Sequence, residues 1–190
     1  DALVGLVGSE MCIRDRFVDR VDLGEHALFS PDGEADNLLA AAVDYDRLIA
    51  DHGGIDLQLL GIGTDGHIGF NEPTSSLGSR TRPKTLTRET RLANARFFDN
   101  DIDAVPLHVL TQGVGTILEG RHLVLIATGA AKAAAIARTV EGPITAMHPA
   151  SALQFHPHVT VLVDEEAARE LTQADYYREI AAAKPGWQPY

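Results

Sequence analysis

The chain runs to 190 residues, 45% hydrophobic and 23% charged, which suffices for one well-packed domain. Its 16 basic and 27 acidic residues leave a formal charge of −11, which argues against a nucleic-acid surface and against adhesion to anionic membranes, while leaving room for a small basic pocket. One cysteine excludes an internal disulfide framework, no apolar run reaches bilayer length and no signal-peptide pattern stands out, so a cytoplasmic protein is expected.

Taken in order, residues 1–16 stand apart. Leu6-Val7-Gly8-Ser9-Glu10-Met11-Cys12-Ile13-Arg14-Asp15 resembles the translation of a sequencing adapter, so this segment, Cys12 included, is expected to lie outside the fold; a real first strand is the alternative. Residues 17–183 then make up the expected domain, and 184–190 a loose tail. Residues 34–52 read as a helix, with Leu38, Leu39, Ala42, Tyr45 and Leu48 or Ile49 at helical spacing and Asp44 and Asp46 on the exposed face, ended by Gly53-Gly54. Ile55 to Leu60 reads as a short buried strand of a parallel sheet.

The strand breaks into Gly61-Ile62-Gly63-Thr64-Asp65-Gly66-His67-Ile68-Gly69-Phe70-Asn71-Glu72-Pro73. Glycines there let the backbone fold over the strand end and offer N–H groups to a ligand, at the place where open α/β sheets bind ligands. Asp65 precedes His67 by two residues and Glu72 follows it by five, so an imidazole held between two carboxylates can take up and return a proton near neutral pH. The bland reading is a glycine-rich turn with Asp65 capping a helix and His67 and Glu72 solvated.

Thr74 to Thr90, rich in Ser, Thr, Arg and Lys, reads as a solvated loop or lid. Leu107 to Leu118 reads as helix, with Gly113 and Gly115 permitting close packing. His122 to Ala127 reads as a strand, and a Thr128-Gly129 turn leads into an alanine-rich helix to about Val140, with Lys132 at its start. Met147 to Phe155 reads as a short helix, Val159 to Val163 as a buried strand, and Asp164-Glu165-Glu166 as the capped start of a helix through Leu171. His148, His156 and His158 match no zinc spacing, so no metal site is expected.

The loop string is similar to the signature of glucosamine-6-phosphate deaminases, which convert glucosamine 6-phosphate and water to fructose 6-phosphate and ammonia. The resemblance continues through Ser75-Ser76-Leu77, Ser79-Arg80-Thr81-Arg82, Lys84-Thr85-Leu86-Thr87, Thr90-Arg91 and Arg96-Phe97-Phe98-Asp99-Asn100. It resumes at Val105-Pro106, Thr111 to Thr116, Ala131-Lys132-Ala133 and Leu153-Gln154, covering roughly residues 17 to 177. It implies an α/β fold: an open, mostly parallel sheet flanked by helices, Rossmann-like, of the deaminase/phosphogluconolactonase type. It also implies that the N-terminal third is missing, because an early Gly-Gly-Ser/Thr phosphate loop and an aspartate base are not visible. Asp19 and Asp22 fall after the base's expected position.

By the same resemblance Asp65, His67 and Glu72 are catalytic, Arg96 and Lys132 bind the substrate phosphate, and no cofactor is needed. Alone, Arg96 would read as a packed surface residue and Lys132 as a solvated helix lysine. Ser75, Arg82, Lys84 and Thr85 match positions where some family members bind N-acetylglucosamine 6-phosphate as an activator between subunits, which implies a homo-oligomer. A 6-phosphogluconolactonase-like hydrolase and a non-catalytic sugar-phosphate-binding protein are the alternatives. Asn71-Glu72-Pro73 and Arg96-Phe97-Phe98 favour the deaminases over the lactonases.

Overall fold

Parallel pairing of three strands gives the architecture its spine. In the computed structural model, which describes residues 18–22 and 27–187, β1 (Leu57–Leu60), β4 (His122–Ala127) and β5 (Val159–Val163) run parallel in the order β1-β4-β5. Residues 1–16, set apart above, lie outside the described residues, as do the end of the tail and the side chain of Asp19. Leu60 pairs with Leu125, and Ile126 with Leu162. Strand alternation then sends Leu60, Leu123, Leu125 and Ala127 to one face, where they join Ile117, Ala135, Ile136, Ala150 and Leu153 in the main core.

The helices that cover this face are short. α3 (Val114–Leu118) brings Ile117, and α4 (Ala133–Val140) brings Ala135 and Ile136. A 3-10 helix, Pro149–Phe155, adds Ala150 and Leu153. The opposite face carries Leu57, Leu59, Ile126 and Leu162, each about half exposed. The expectation of a buried strand over 55–60 is corrected accordingly: β1 is shorter, and among the described residues it lies at the edge of this sheet with one open apolar face, which β5 shares.

α1 (Leu38–Asp51) matches the expected helix. Asn37 Oδ1 caps it by accepting from Ala40 N at 3.1 Å, and Gly53 and Gly54 end it. Its buried residues are Ala41 and Ala42, packed on Leu110, whereas Leu39 points to solvent. Asp46 does not belong to the exposed face as expected. Arg80 Nε donates to it at 3.0 Å and Thr81 Oγ1 donates to its other oxygen, tying the helix to the segment after the loop.

Three further readings change. The polar stretch 74–90 is not all loop: β2 (Arg82–Thr85) pairs antiparallel with β3 (His108–Thr111), and α2 (Arg88–Asn94) starts behind Thr87, whose Oγ1 accepts from Thr90 N at 3.1 Å. The expected helix over 107–118 accordingly splits into β3 and α3, with Val109 and Leu110 buried at the β2 pairing and Gly113 capping α3. Close packing at Gly113 is real, since a Cβ there would lie 2.0 Å from Ser79 O. α5 (Glu165–Ala168) begins at Asp164, whose side chain accepts from Ala167 N, and stops short of Leu171; α6 (Ala174–Ala182) follows.

Candidate active site

From the end of β1 the chain turns back on itself through two backbone hydrogen bonds, Gly66 N to Gly63 O at 3.0 Å and Gly63 N to His67 O at 2.9 Å. Gly66 takes φ +88°, a torsion that side chains disfavour. Gly63 is required by crowding: a Cβ there would lie 2.2 Å from His67 Cε1 and 2.7 Å from Asp65 Oδ1. The turn therefore presses the imidazole against the carboxylate. His67 Nδ1 lies 2.7 Å from Asp65 Oδ1, close but off the line of a hydrogen bond, and 3.9 Å from Glu72 Oε2.

Each carboxylate is itself held. Asp65 Oδ1 accepts from His67 N at 3.2 Å. Burial alone would push Asp65 up, but that N–H, the His67 charge and further hydrogen bonds outweigh it and hold the carboxyl below its usual pKa, so it is ionised at neutral pH. Glu72 Oε1 accepts from Thr90 Oγ1 at 2.6 Å, and the Thr90 and Thr87 hydroxyls are 2.9 Å apart. The rest of the loop is latched to the end of β3. Phe70 N donates to Thr111 Oγ1 at 3.1 Å, and buried Asn71 donates through Nδ2 to Ile68 O at 2.9 Å and Gln112 O at 2.8 Å.

A cavity of about 530 Å³ opens over this loop, lined by Asp65, His67, Glu72, Thr90, Arg96 and Lys132 among others. Arg96 projects from the 3-10 turn Ala95–Phe97, its guanidinium 4.7 Å from the Phe97 ring centroid. Lys132 precedes α4 and its Nζ donates to Ile62 O at 2.6 Å. The neighbouring turn is fixed by Asp164, both of whose carboxylate oxygens accept from Gly129 N at 3.0 Å. Five residues singled out from sequence thus share one cavity, with two carboxylates beside an imidazole and two cations able to take an anion.

Ser75, Arg82, Lys84 and Thr85 do not line it. Ser75 is buried just behind Glu72, its N donating to Glu72 O at 3.0 Å. Alternation along β2 puts Arg82 and Lys84 on one face and Thr85 on the other, where its hydroxyl meets His108 Nδ1 at 3.1 Å. Asp44 and Asp46 also stay away, engaged with Arg47 and Arg80. Among the described residues Asp65, His67 and Glu72 are the group whose donor atoms, within 4.8 Å of one another, could hold a metal ion. His156 Nε2 is 2.7 Å from Gly120 O and His148 Nε2 is 2.8 Å from Thr139 Oγ1, and neither histidine lines the cavity.

Sequence reasoning missed Thr90 as the partner of Glu72. The Thr87-x-x-Thr90 spacing at a helix start is a capping signal, but nothing in it points to a glutamate 18 residues back.

A family model described as Glucosamine-6-phosphate isomerases/6-phosphogluconolactonase matches residues 9–162. A glucosamine-6-phosphate deaminase of Streptomyces avermitilis is 61% identical over 176 residues, covering 93% of this chain and 67% of the relative. One of Mycolicibacterium smegmatis is 61% identical over 172 residues, covering 90% and 66%. The chain therefore spans about two thirds of the length of these relatives. A solved structure described as a monomeric glucosamine-6-phosphate deaminase superposes with a TM-score of 0.82 at 44% identity, covering 88% of this chain and 71% of that one. A 6-phosphogluconolactonase from Trypanosoma cruzi superposes with a TM-score of 0.63 at 21% identity, covering 84% and 64%, which establishes a shared fold.

Proposed function

The chain belongs to the glucosamine-6-phosphate isomerase/6-phosphogluconolactonase family, and from that premise we propose that it is the larger part of a glucosamine-6-phosphate deaminase. The reaction converts glucosamine 6-phosphate and water to fructose 6-phosphate and ammonia, a step of amino-sugar breakdown. The observation that carries this reading is the meeting of Asp65, His67, Glu72, Arg96 and Lys132 in one cavity, together with 61% identity to deaminases.

In this reading Arg96 and Lys132 anchor the substrate phosphate and turn binding energy into orientation. His67 moves a proton between the C1 hydroxyl and the ring oxygen, opening the pyranose. Asp65 and, farther off, Glu72, itself braced by Thr90, both lie against its Nδ1, where their negative charge favours the protonated ring. The C2 proton then shifts toward C1 and the resulting iminium is hydrated to release ammonia. The described carboxylates that line the cavity are Asp65, Glu72 and Glu89, and the base for that step is proposed, from the resemblance, to be an aspartate outside the described residues. Cofactor chemistry is not called upon.

Activation by N-acetylglucosamine 6-phosphate remains part of the proposal, with Arg82 and Lys84 on one face of β2 as the cations and Ser75 and Thr85 contributing from elsewhere. Assembly as a homo-oligomer is proposed with it, and sedimentation of the full-length protein decides it. No helix among the described residues is long and apolar enough to cross a membrane, and a cytoplasmic site of action is proposed.

The test is ammonia release from glucosamine 6-phosphate by this chain and by the full-length protein that contains it. Turnover by the full-length protein alone, abolished by His67→Ala, supports both the deaminase reading and the separate base. Hydrolysis of 6-phosphogluconolactone without ammonia release overturns it.

A further inference from the structure

Among the described residues, the largest buried titratable side chain that this mechanism leaves unused is His148, 1% exposed. It sits in the short segment that grips the proton-transfer loop at two places. Ala150 N donates to Gly66 O at 2.9 Å, and Thr74 N donates to Ala146 O at 2.8 Å, so residues 146–150 clamp both ends of the stretch 66–74. Between those two grips the imidazole fills the space beside Gly66: a Cβ on that glycine would lie 2.0 Å from His148 Nδ1 and 2.1 Å from its Cε1.

The other edge of the ring is tied to α4. Nε2 lies 2.8 Å from Thr139 Oγ1 and 3.1 Å from Ala135 O. Thr139 Oγ1 already donates to Ala135 O at 2.8 Å, so its one proton is spent, and a carbonyl can only accept. On that ground Nε2 is assigned the ring proton, while Nδ1 faces the loop without a hydrogen-bond partner. Burial, then the nearby Arg138 charge, lower the pKa of His148, in keeping with a neutral ring.

We propose that His148 is a positioning residue for the proton-transfer loop: its imidazole, anchored to α4 through Thr139 and Ala135, sets the Asp65–Gly66–His67 turn and with it the approach of His67 to Asp65. A shape-only filler could occupy the volume but would leave Thr139 Oγ1 without the donor that His148 supplies. The kinetic consequence rests on the deaminase reading; the effect on the loop rests on geometry alone.

The experiment uses the full-length protein as wild type, His148→Ala and His148→Gln, the last keeping a donor near the Nε2 position. Ammonia-release kinetics and amide exchange at Gly63 and Gly66 are both measured. His148→Ala is expected to lower kcat by about 30-fold with KM changed by less than about threefold, because a displaced proton-transfer group slows chemistry more than phosphate binding. Exchange at the two glycines is expected to quicken about tenfold, and His148→Gln to recover most of both losses. If His148→Ala fails to fold, Thr139→Val removes the shorter of the two anchors with little change of volume and is expected to move kcat and exchange in the same directions, by less. Unchanged kcat and exchange in the folded variants overturns the proposal, as does a loss confined to KM. If the wild type releases no ammonia, the deaminase reading falls, and glycine exchange alone still decides whether His148 holds the loop.

Discussion

Replacing Gly66 with alanine should destabilise the protein through a clash that can be isolated. The new Cβ would lie 2.0 Å from His148 Nδ1, and the ring, 1% exposed and tied on its far edge to Thr139, cannot swing aside. Gly66 also holds φ +88°, which costs a residue with a Cβ about 1–2 kcal/mol. Forcing a methyl into a filled core adds about 1–3 kcal/mol, so Gly66→Ala should cost about 2–5 kcal/mol. Urea unfolding of wild type, Gly66→Ala, His148→Ala and the double variant measures it. The backbone cost is present whether or not the ring is there, whereas the clash needs the ring. In the His148→Ala background Gly66→Ala should therefore cost about 1–3 kcal/mol less. Costs that add to within about 0.5 kcal/mol would refute the reasoning, because they would mean that the ring and the glycine are independent.

Thr90→Val keeps the shape and removes the hydroxyl that donates to Glu72 Oε1 at 2.6 Å. It should lower stability by about 1.5–3 kcal/mol in urea unfolding, as for a hydrogen bond to a charged group, and lower kcat for ammonia release with little change in KM. Because burial and Arg138 depress the His148 pKa in the folded state, its contribution to stability is complete above about pH 6.5 and is lost as pH falls below that value. Unfolding midpoints should decline over that window, with a shallower decline in His148→Gln. Arg96→Ala should raise KM for glucosamine 6-phosphate by about 10–150-fold, the equivalent of one lost charged hydrogen bond, and Arg96→Lys should restore it only in part. Lys132→Ala should lower kcat as well as raise KM, since Lys132 Nζ also holds Ile62 O.

Much of the sheet was legible because its signals are local. β4 and β5 are apolar runs bounded by turn residues, and the expected ranges match. The site's centre was legible for the same reason, since Asp65, His67 and Glu72 lie within eight positions and the loop's own hydrogen bonds bring them together. Where the partner is distant in sequence, the reading failed. β2 contains Arg82, Pro83 and Lys84, which read as loop until β3 supplies the pairing. β3 in turn was lost inside an apolar stretch that short-range pattern cannot assign to helix or strand. Leu57 and Leu59 look buried by composition but face away from the core, and nothing in a leucine announces which side of a sheet it takes. For Arg96 and Lys132 the expectation of a phosphate role came from the resemblance, because an arginine beside aromatics and a lysine at a helix start more often read as surface residues. His148 drew notice only as a metal ligand that fits no zinc spacing, since its partners Gly66, Ala135 and Thr139 adjoin it only in the fold.

The central claim is that His67, held between Asp65 and Glu72, opens the sugar ring. Ring opening and closing interconvert the two anomers of glucosamine 6-phosphate, so the most direct measurement is anomer exchange followed by NMR in the presence of the full-length protein. The account predicts exchange faster than in buffer, falling to the buffer rate in His67→Ala while binding through Arg96 and Lys132 persists. Accelerated exchange that survives His67→Ala would contradict it and move the proton-transfer role to another group.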